Sequence, residues 1–159
     1  MANKQPKMPV PTESVEQINL FRWALWQQGA HPELKWLFHI PNGGFRNKAT
    51  AGRLKAEGVK SGVPDLCLPI PRGGFHGLYV EMKRLRGNTT TQDQNDWLAF
   101  LQSQGYCTAV CRGWEAATTV ILDYLNLPTT DKQGFAPMFP TTEKDFGAVK
   151  CHTGQKREE

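Results

Sequence analysis

The sequence lacks the features of a membrane or secreted protein. It has no apolar run near the roughly 18 residues that a membrane-spanning helix requires. Residues 1–11 are polar, include three prolines and contain no apolar segment of the kind found in signal peptides. We therefore expect a cytoplasmic protein.

Cysteine is scarce, and its spacing is not typical of a metal site. The chain has four cysteines, at positions 67, 107, 111 and 151, without a C-x-x-C pair accompanied by histidines. Neither a structural zinc site nor a disulfide framework is expected. Cys67, Cys107 and Cys111 lie in candidate strands and are interpreted as reduced core residues.

A strong charge of either sign is also missing, since the formal net charge is only +4. The distribution of charge is more informative, because residues 46–60 carry five basic side chains and one acid, Glu57. A basic patch suits a polyanionic substrate if it lies beside a catalytic site, although a solvated helix face is the ordinary interpretation. The basic residues are Arg46, Lys48, Arg53, Lys55 and Lys60.

The most informative stretch runs from position 62 to position 83. Residues 62–70 and 77–83 are apolar segments bounded by Gly and Pro, which is typical of short strands. Side chains alternate along a strand, so Glu81 and Lys83 share one face. A turn over residues 71–77 would let the strands pair antiparallel and bring Asp65 to Glu81, whereas a one-residue slip would turn Glu81 away.

Two carboxylates and a lysine on buried strands are costly unless something compensates their charge. A divalent cation would do so, because Mg²⁺ is typically held by one or two carboxylates together with waters and phosphate oxygens. The lysine could then orient an attacking water or neutralise phosphate charge. This combination of residue types favours phosphodiester chemistry.

Pro64-Asp65 and Glu81-Met82-Lys83, with fifteen residues between Asp65 and Glu81, resemble the PD-(D/E)xK nuclease pattern. The string from Gly58 to Leu66 resembles the signature of the VRR-NUC branch of that superfamily. The resemblance covers about residues 12–124. It implies an α/β core, a four-stranded mixed sheet flanked by helices, and metal-dependent hydrolysis of DNA.

The resemblance also implies roles for individual residues. Asp65, Glu81 and Lys83 would be catalytic, with Gln94 in support from a helix. Asp65, Glu81 and the backbone carbonyl of Met82 would hold one or two Mg²⁺ or Mn²⁺ ions. Glu16, preferred here over Glu13, would add a ligand from the first helix. The alternatives are a first-turn Glu16 that only complements the helix dipole and a Gln94 on the helix surface.

Residues around the site are expected to contact DNA. His39 and Asn42 belong to an H-x-P-N-G-G-type string, in which glycine amides can approach a phosphate. The alternatives are that His39 is an ordinary core residue and that Asn42 serves the turn. Contacts to the DNA backbone carry no sequence information. The expected DNA-binding residues are His39, Asn42, Gly43, Gly44, Arg46, Lys48, Arg53, Lys60, Ser61, Arg84 and Arg86.

The pattern predicts a flexible N-terminus over residues 1–11, a nuclease domain over 12–126 and an irregular arm over 127–159. Within the domain it predicts helices over 12–29, 47–57, 92–104 and 113–126, with outer strands over 35–40 and 106–111. The five tryptophans are spread over several elements, so we expect core packing rather than a base-stacking platform.

Small stand-alone members of the family resemble Holliday-junction resolvases and act as dimers. We therefore expect a phage or bacterial homodimer that cleaves branched or junction DNA and does not bind membranes. Two alternatives stay open at this point: a non-catalytic DNA-binding or assembly protein that retains the nuclease fold, and a nuclease that acts on RNA.

Overall fold

The computed structural model of the chain describes residues 10–41, 48–87 and 89–129. Helices α1 to α4 are Glu13–Gln27, Lys48–Ala56, Gln92–Ser103 and Trp114–Leu125. Strands β1 to β4 are Phe38–His39, Leu66–Leu68, Leu78–Lys83 and Cys107–Arg112. Across these three ranges, no helix is long and apolar enough to cross a membrane.

The four strands form one mixed sheet in the order β1-β2-β3-β4, which confirms the predicted fold class. The first three strands are antiparallel neighbours, and β4 runs parallel to β3 after the crossover through α3. Leu66 pairs with Val80. One step further along the same register, Asp65 lies opposite Glu81, as the predicted antiparallel pairing requires.

Because side chains alternate along β3, one face of this strand belongs to the hydrophobic core and the other to the charged residues. Leu78, Val80 and Met82 are buried in one hydrophobic cluster with residues of α1 and α4. Glu81 and Lys83 point to the other face, where the start of α3 covers them. Both charged side chains are buried, although neither belongs to the hydrophobic core cluster.

The first strand is much shorter than the predicted strand over residues 35–40, and this prediction is wrong. Pro32–Trp36 forms a 3-10 helix instead, with proline in its first turn, where a missing N–H costs nothing. Leu34 of this helix is buried in the core. β1 pairs with β2 through two residue pairs, and the side chains of Trp36 and Phe38 are exposed.

Candidate active site

Asp65 immediately precedes β2 and is fixed through both its side chain and its backbone. Its Oδ2 accepts a hydrogen bond from the backbone N–H of Met82 at 2.9 Å. Its carbonyl oxygen accepts from the backbone N–H of Ile40 at 2.8 Å and from Nδ1 of His39 at 2.9 Å. The Asp65 side chain therefore joins β2 to β3 where the two strands separate, and His39 lies beside Asp65.

Glu81 and Lys83 form a buried ion pair that Gln94 completes. Lys83 Nζ lies 2.9 Å from Glu81 Oε1 and donates to Gln94 Oε1 at 3.0 Å. Gln94 Nε2 in turn donates to the same oxygen of Glu81. The side chains of Glu81 and Lys83 are only 2% and 6% exposed, so these contacts satisfy charges that water does not reach.

Gln94 also caps α3, which links the helix to the ion pair. Its Oε1 accepts from the backbone N–H of Thr91 at 2.9 Å, and Thr91 Oγ1 accepts from the Gln94 N–H at 3.3 Å. This reciprocal arrangement is a capping box. The interpretation of Gln94 as a surface helix residue is therefore wrong, since the cap turns its amide towards Glu81 and Lys83.

The two carboxyl groups are held in an environment that disfavours two negative charges. Burial raises the pKa of Asp65, while the Met82 N–H, Lys83 and His39 oppose this rise. Burial and then the charge of Asp65 raise the pKa of Glu81 to about 7, against the effect of Lys83. Such a pair favours any ligand that brings positive charge between the carboxylates.

The donor set at this point fits a hard divalent cation. Within the described ranges, Asp65 Oδ1 and Glu81 Oε2 have no hydrogen-bond partner, and the Met82 carbonyl belongs to the residue between Glu81 and Lys83. No cluster of three or more His, Cys, Asp or Glu residues suited to a metal occurs among the residues that the structure describes. Mg²⁺ needs only one or two carboxylates, because waters and substrate oxygens complete its octahedron.

On α1, Glu13 is the acid whose charge acts on this pair, whereas Glu16, the expected ligand, contacts α4. The charge of Glu13 raises the pKa of both Asp65 and Glu81. Glu16 is 1% exposed, and its Oε2 accepts from the backbone N–H of Trp114 at 3.0 Å. It therefore caps α4, which has no side-chain cap of its own after Gly113. Glu16 Oε1 is buried without a hydrogen-bond partner in the described chain.

The loop that leads to Asp65 is clamped onto α3, a feature that no sequence pattern indicates. Ser61 Oγ donates to Asp93 Oδ2 at 2.5 Å, and Trp97 Nε1 donates to the Ser61 carbonyl at 3.0 Å. The Ser61 hydroxyl, expected to contact DNA, thus donates to a side chain of the protein itself, at an exposed position. Gly62 has φ +80°, and a Cβ atom there would lie 2.5 Å from the carbonyl carbon of Asp93. The clamp fixes Asp65 relative to Gln94.

Gly62→Ala is therefore expected to destabilise the fold markedly. The left-handed backbone costs an L-residue about 1–2 kcal/mol, and the contact with the Asp93 backbone adds a steric cost. Gly58→Ala is the matched control, because Gly58 has φ +94° but open space around its Cβ position. Urea unfolding should show the larger loss for Gly62→Ala; equal losses for both variants would contradict the clamp.

The basic residues near the site differ in what they contact. Arg53 lies 3.5 Å from Glu57 in an exposed pair, and Lys60 and Arg86 are exposed. Arg84 is half-buried, and its Nε has no hydrogen-bond partner among the described residues although it is buried. Four expected DNA contacts lie outside the described residues, as does the side chain of Lys48. They are Asn42, Gly43, Gly44 and Arg46.

The family profile described as "VRR-NUC domain" matches residues 13–115. The chain belongs to the VRR-NUC family. This confirms the resemblance, and the matched VRR-NUC range contains Glu13, Asp65, Glu81, Lys83 and Gln94.

A solved structure titled "VRR_NUC domain protein" is similar to this VRR-NUC chain, with a TM-score of 0.67 and 30% sequence identity. The match covers 78% of this chain and 96% of the other. No curated protein matches. The VRR-NUC domain has a nuclease fold, so Asp65, Glu81 and Lys83 occur together in a scaffold of that class.

Proposed function

We propose that the protein is a metal-dependent endonuclease that hydrolyses DNA phosphodiester bonds. The observation that carries the proposal is the buried contact of Glu81 with Lys83. Asp65 lies beside this pair, immediately before the residues of β2 that pair with β3. A purely structural core has little use for this cluster, because buried charge stabilises a fold less than apolar packing does. A reaction that passes through a charged phosphate gives each of these residues a task.

Asp65, Glu81 and the Met82 carbonyl would hold one or two Mg²⁺ or Mn²⁺ ions. When bound, the cation would acidify a water molecule and neutralise charge on the phosphate oxygens. Glu13 is the α1 acid whose charge already acts on both carboxyl groups, so we assign it rather than Glu16 to the edge of this site.

Lys83 and Gln94 would organise the attack. The Lys83 ammonium is held by Glu81 and Gln94, which leaves one of its three N–H groups to donate to a water or a phosphate oxygen. Gln94 is itself fixed by the capping box, so Lys83 needs little reordering when substrate binds. The half-buried Arg84 follows Lys83 and would supply positive charge for an adjacent phosphate.

We propose branched or junction DNA as the preferred substrate and a homodimer of phage or bacterial origin as the active species. Symmetric cutting of two strands needs two active sites, and a two-fold dimer supplies them. Arg46 and the basic residues of α2 would add phosphate contacts that position the DNA without reading its sequence.

The test is a gel assay on four labelled substrates of one sequence: linear duplex, 5′ flap, four-way junction and RNA duplex. Each is incubated with Mg²⁺, Mn²⁺ or EDTA, with Asp65→Asn as the active-site variant and Asp123→Asn, at an exposed position of α4, as its control. Metal-dependent cutting of the junction that Asp65→Asn alone abolishes is the expected result.

Two other results of this assay would overturn the proposal. Tight binding of DNA without cutting under every metal would assign the chain to non-catalytic DNA-binding proteins. Faster cutting of RNA than of any DNA would move the substrate to RNA.

A further inference from the structure

Three of the five tryptophans, Trp23, Trp26 and Trp114, meet at one surface groove. Trp23 and Trp114 also pack against the hydrophobic core, as expected, whereas Trp26 is exposed. Trp26 is 87% exposed on α1, and Trp23 lies beside it on the same helix face. Trp114, at the first position of α4, closes the other side. Together with Asn19 and Arg22 they line an open groove of about 570 Å³.

Two backbone contacts connect one wall of the groove to α1 and to β3. The N–H of Trp114 donates to Glu16, one turn after Glu13 on α1. The N–H of Gly113, the residue before Trp114, donates to the carbonyl of Lys83 at 2.9 Å. One wall of the groove is therefore tied directly to the strand that carries the catalytic lysine.

The chemistry of the groove suits one class of ligand. Tryptophan rings offer flat apolar faces, and the Asn19 amide offers a donor and an acceptor. The Arg22 side chain is exposed and has no ion-pair partner among the residues described. None of the five lining residues is acidic, so the groove complements an anion. Aromatic faces together with an unpaired cation are the combination with which proteins bind single-stranded nucleic acid.

We propose that this groove binds an unstacked base and its phosphate in a single-stranded segment of the substrate. Trp26 would stack on the base, Trp114 would flank it, and Arg22 would contact the phosphate. The proposal rests on the proposed function, because it assumes a nucleic-acid substrate. The same surface of a second protein copy would fit the groove less well, because it would bring a second Arg22 against the first and no acidic residue to pair with it.

The test measures binding without cleavage. A fluorescent oligo(dT) of about 12 nucleotides is titrated in EDTA against wild type, Trp26→Ala and Arg22→Gln. The matched control is Trp36→Ala, which removes another exposed tryptophan, 57% accessible, from the 3-10 helix. Trp26→Ala should weaken binding at least about fivefold, while Trp36→Ala should change it by less than about twofold.

Arg22→Gln should weaken binding and also lower the slope of log K against log salt by about 0.7, the value for one phosphate contact on a single strand. This readout separates a phosphate contact from a general loss of structure. A slope equal to that of wild type would remove Arg22 from the site.

Cleavage and sedimentation measurements distinguish the remaining outcomes. If wild type cuts no DNA but binds the oligonucleotide through Trp26, the groove proposal stands and the nuclease proposal fails. Suppose instead that wild type cuts DNA. If Trp26→Ala then matches wild type both in oligonucleotide affinity and in the rate of 5′-flap cleavage, the groove proposal is wrong. It is also wrong if Trp26→Ala converts a dimer to a monomer without changing oligonucleotide affinity.

Discussion

Lys83→Met is expected to reduce the rate of DNA cleavage on the order of 10³-fold, because it removes the lysine ammonium group that Glu81 and Gln94 hold in place. Methionine keeps most of the length of the lysine stem, so the packing beneath α3 is retained. The loss should appear in single-turnover rates at saturating DNA, since the phosphate contacts of other residues are unchanged.

The same substitution leaves Glu81 buried without its ionic partner. Breaking a buried pair from one side typically costs about 3–5 kcal/mol, so Lys83→Met should also be less stable than wild type at about pH 8. The double variant Lys83→Met/Glu81→Gln removes both charges and is expected to regain stability without regaining cleavage. A Lys83→Met protein that cuts at the wild-type rate would exclude Lys83 from the chemistry.

Glu81→Gln is expected to stabilise the metal-free protein at alkaline pH. The pKa of Glu81 is raised from 4.5 to about 7 in the folded protein, first by burial and then by the charge of Asp65. Between these values the folded state binds a proton that the unfolded chain has lost. The stability of wild type therefore falls as the pH rises through this window, by up to about 3 kcal/mol.

Glutamine cannot ionise, so the advantage of Glu81→Gln over wild type should grow from about pH 5 to about pH 8 in EDTA. Urea unfolding at several pH values measures this difference directly. Adding Mn²⁺ at about pH 8 should stabilise wild type and leave the variant nearly unchanged, because ligand binding to the folded state raises its stability. An advantage that is constant with pH would contradict the electrostatic description of the site.

The contacts around Glu81 were predictable because they depend on short-range rules. Strand alternation places Glu81 and Lys83 on one face, and antiparallel pairing of consecutive strands brings Asp65 to Glu81. A capping box links Thr91 to Gln94 over three residues. Each of these relations follows from local geometry, which the sequence carries.

The choice between Glu13 and Glu16 was not predictable in this way. The two acids are three residues apart on one helix, so their side chains lie on neighbouring positions about 4.5 Å apart along the axis. Which of them reaches the end of β3 depends on how far α1 is shifted along the sheet. That shift is set by the packing of α1 against α4, which local patterns do not specify.

The clamp and the tryptophan groove depend on contacts between distant segments. Ser61 and Asp93 are 32 positions apart, and nothing in either segment identifies the partner. The helical spacing of residues 19, 22, 23 and 26 does place them on one face of α1. What it cannot reveal is that Trp114 lies across from them, or that the face is open to solvent.

Titration calorimetry of Mn²⁺ into wild type and Asp65→Asn tests the central claim most directly, because it measures the metal site without a choice of substrate. We expect one or two ions to bind per wild-type chain, more tightly as the pH rises towards 7 because Glu81 loses its proton. Asp65→Asn should show no heat of specific Mn²⁺ binding. Equal binding by both proteins, or none by wild type, would contradict a metal centre built on Asp65 and Glu81.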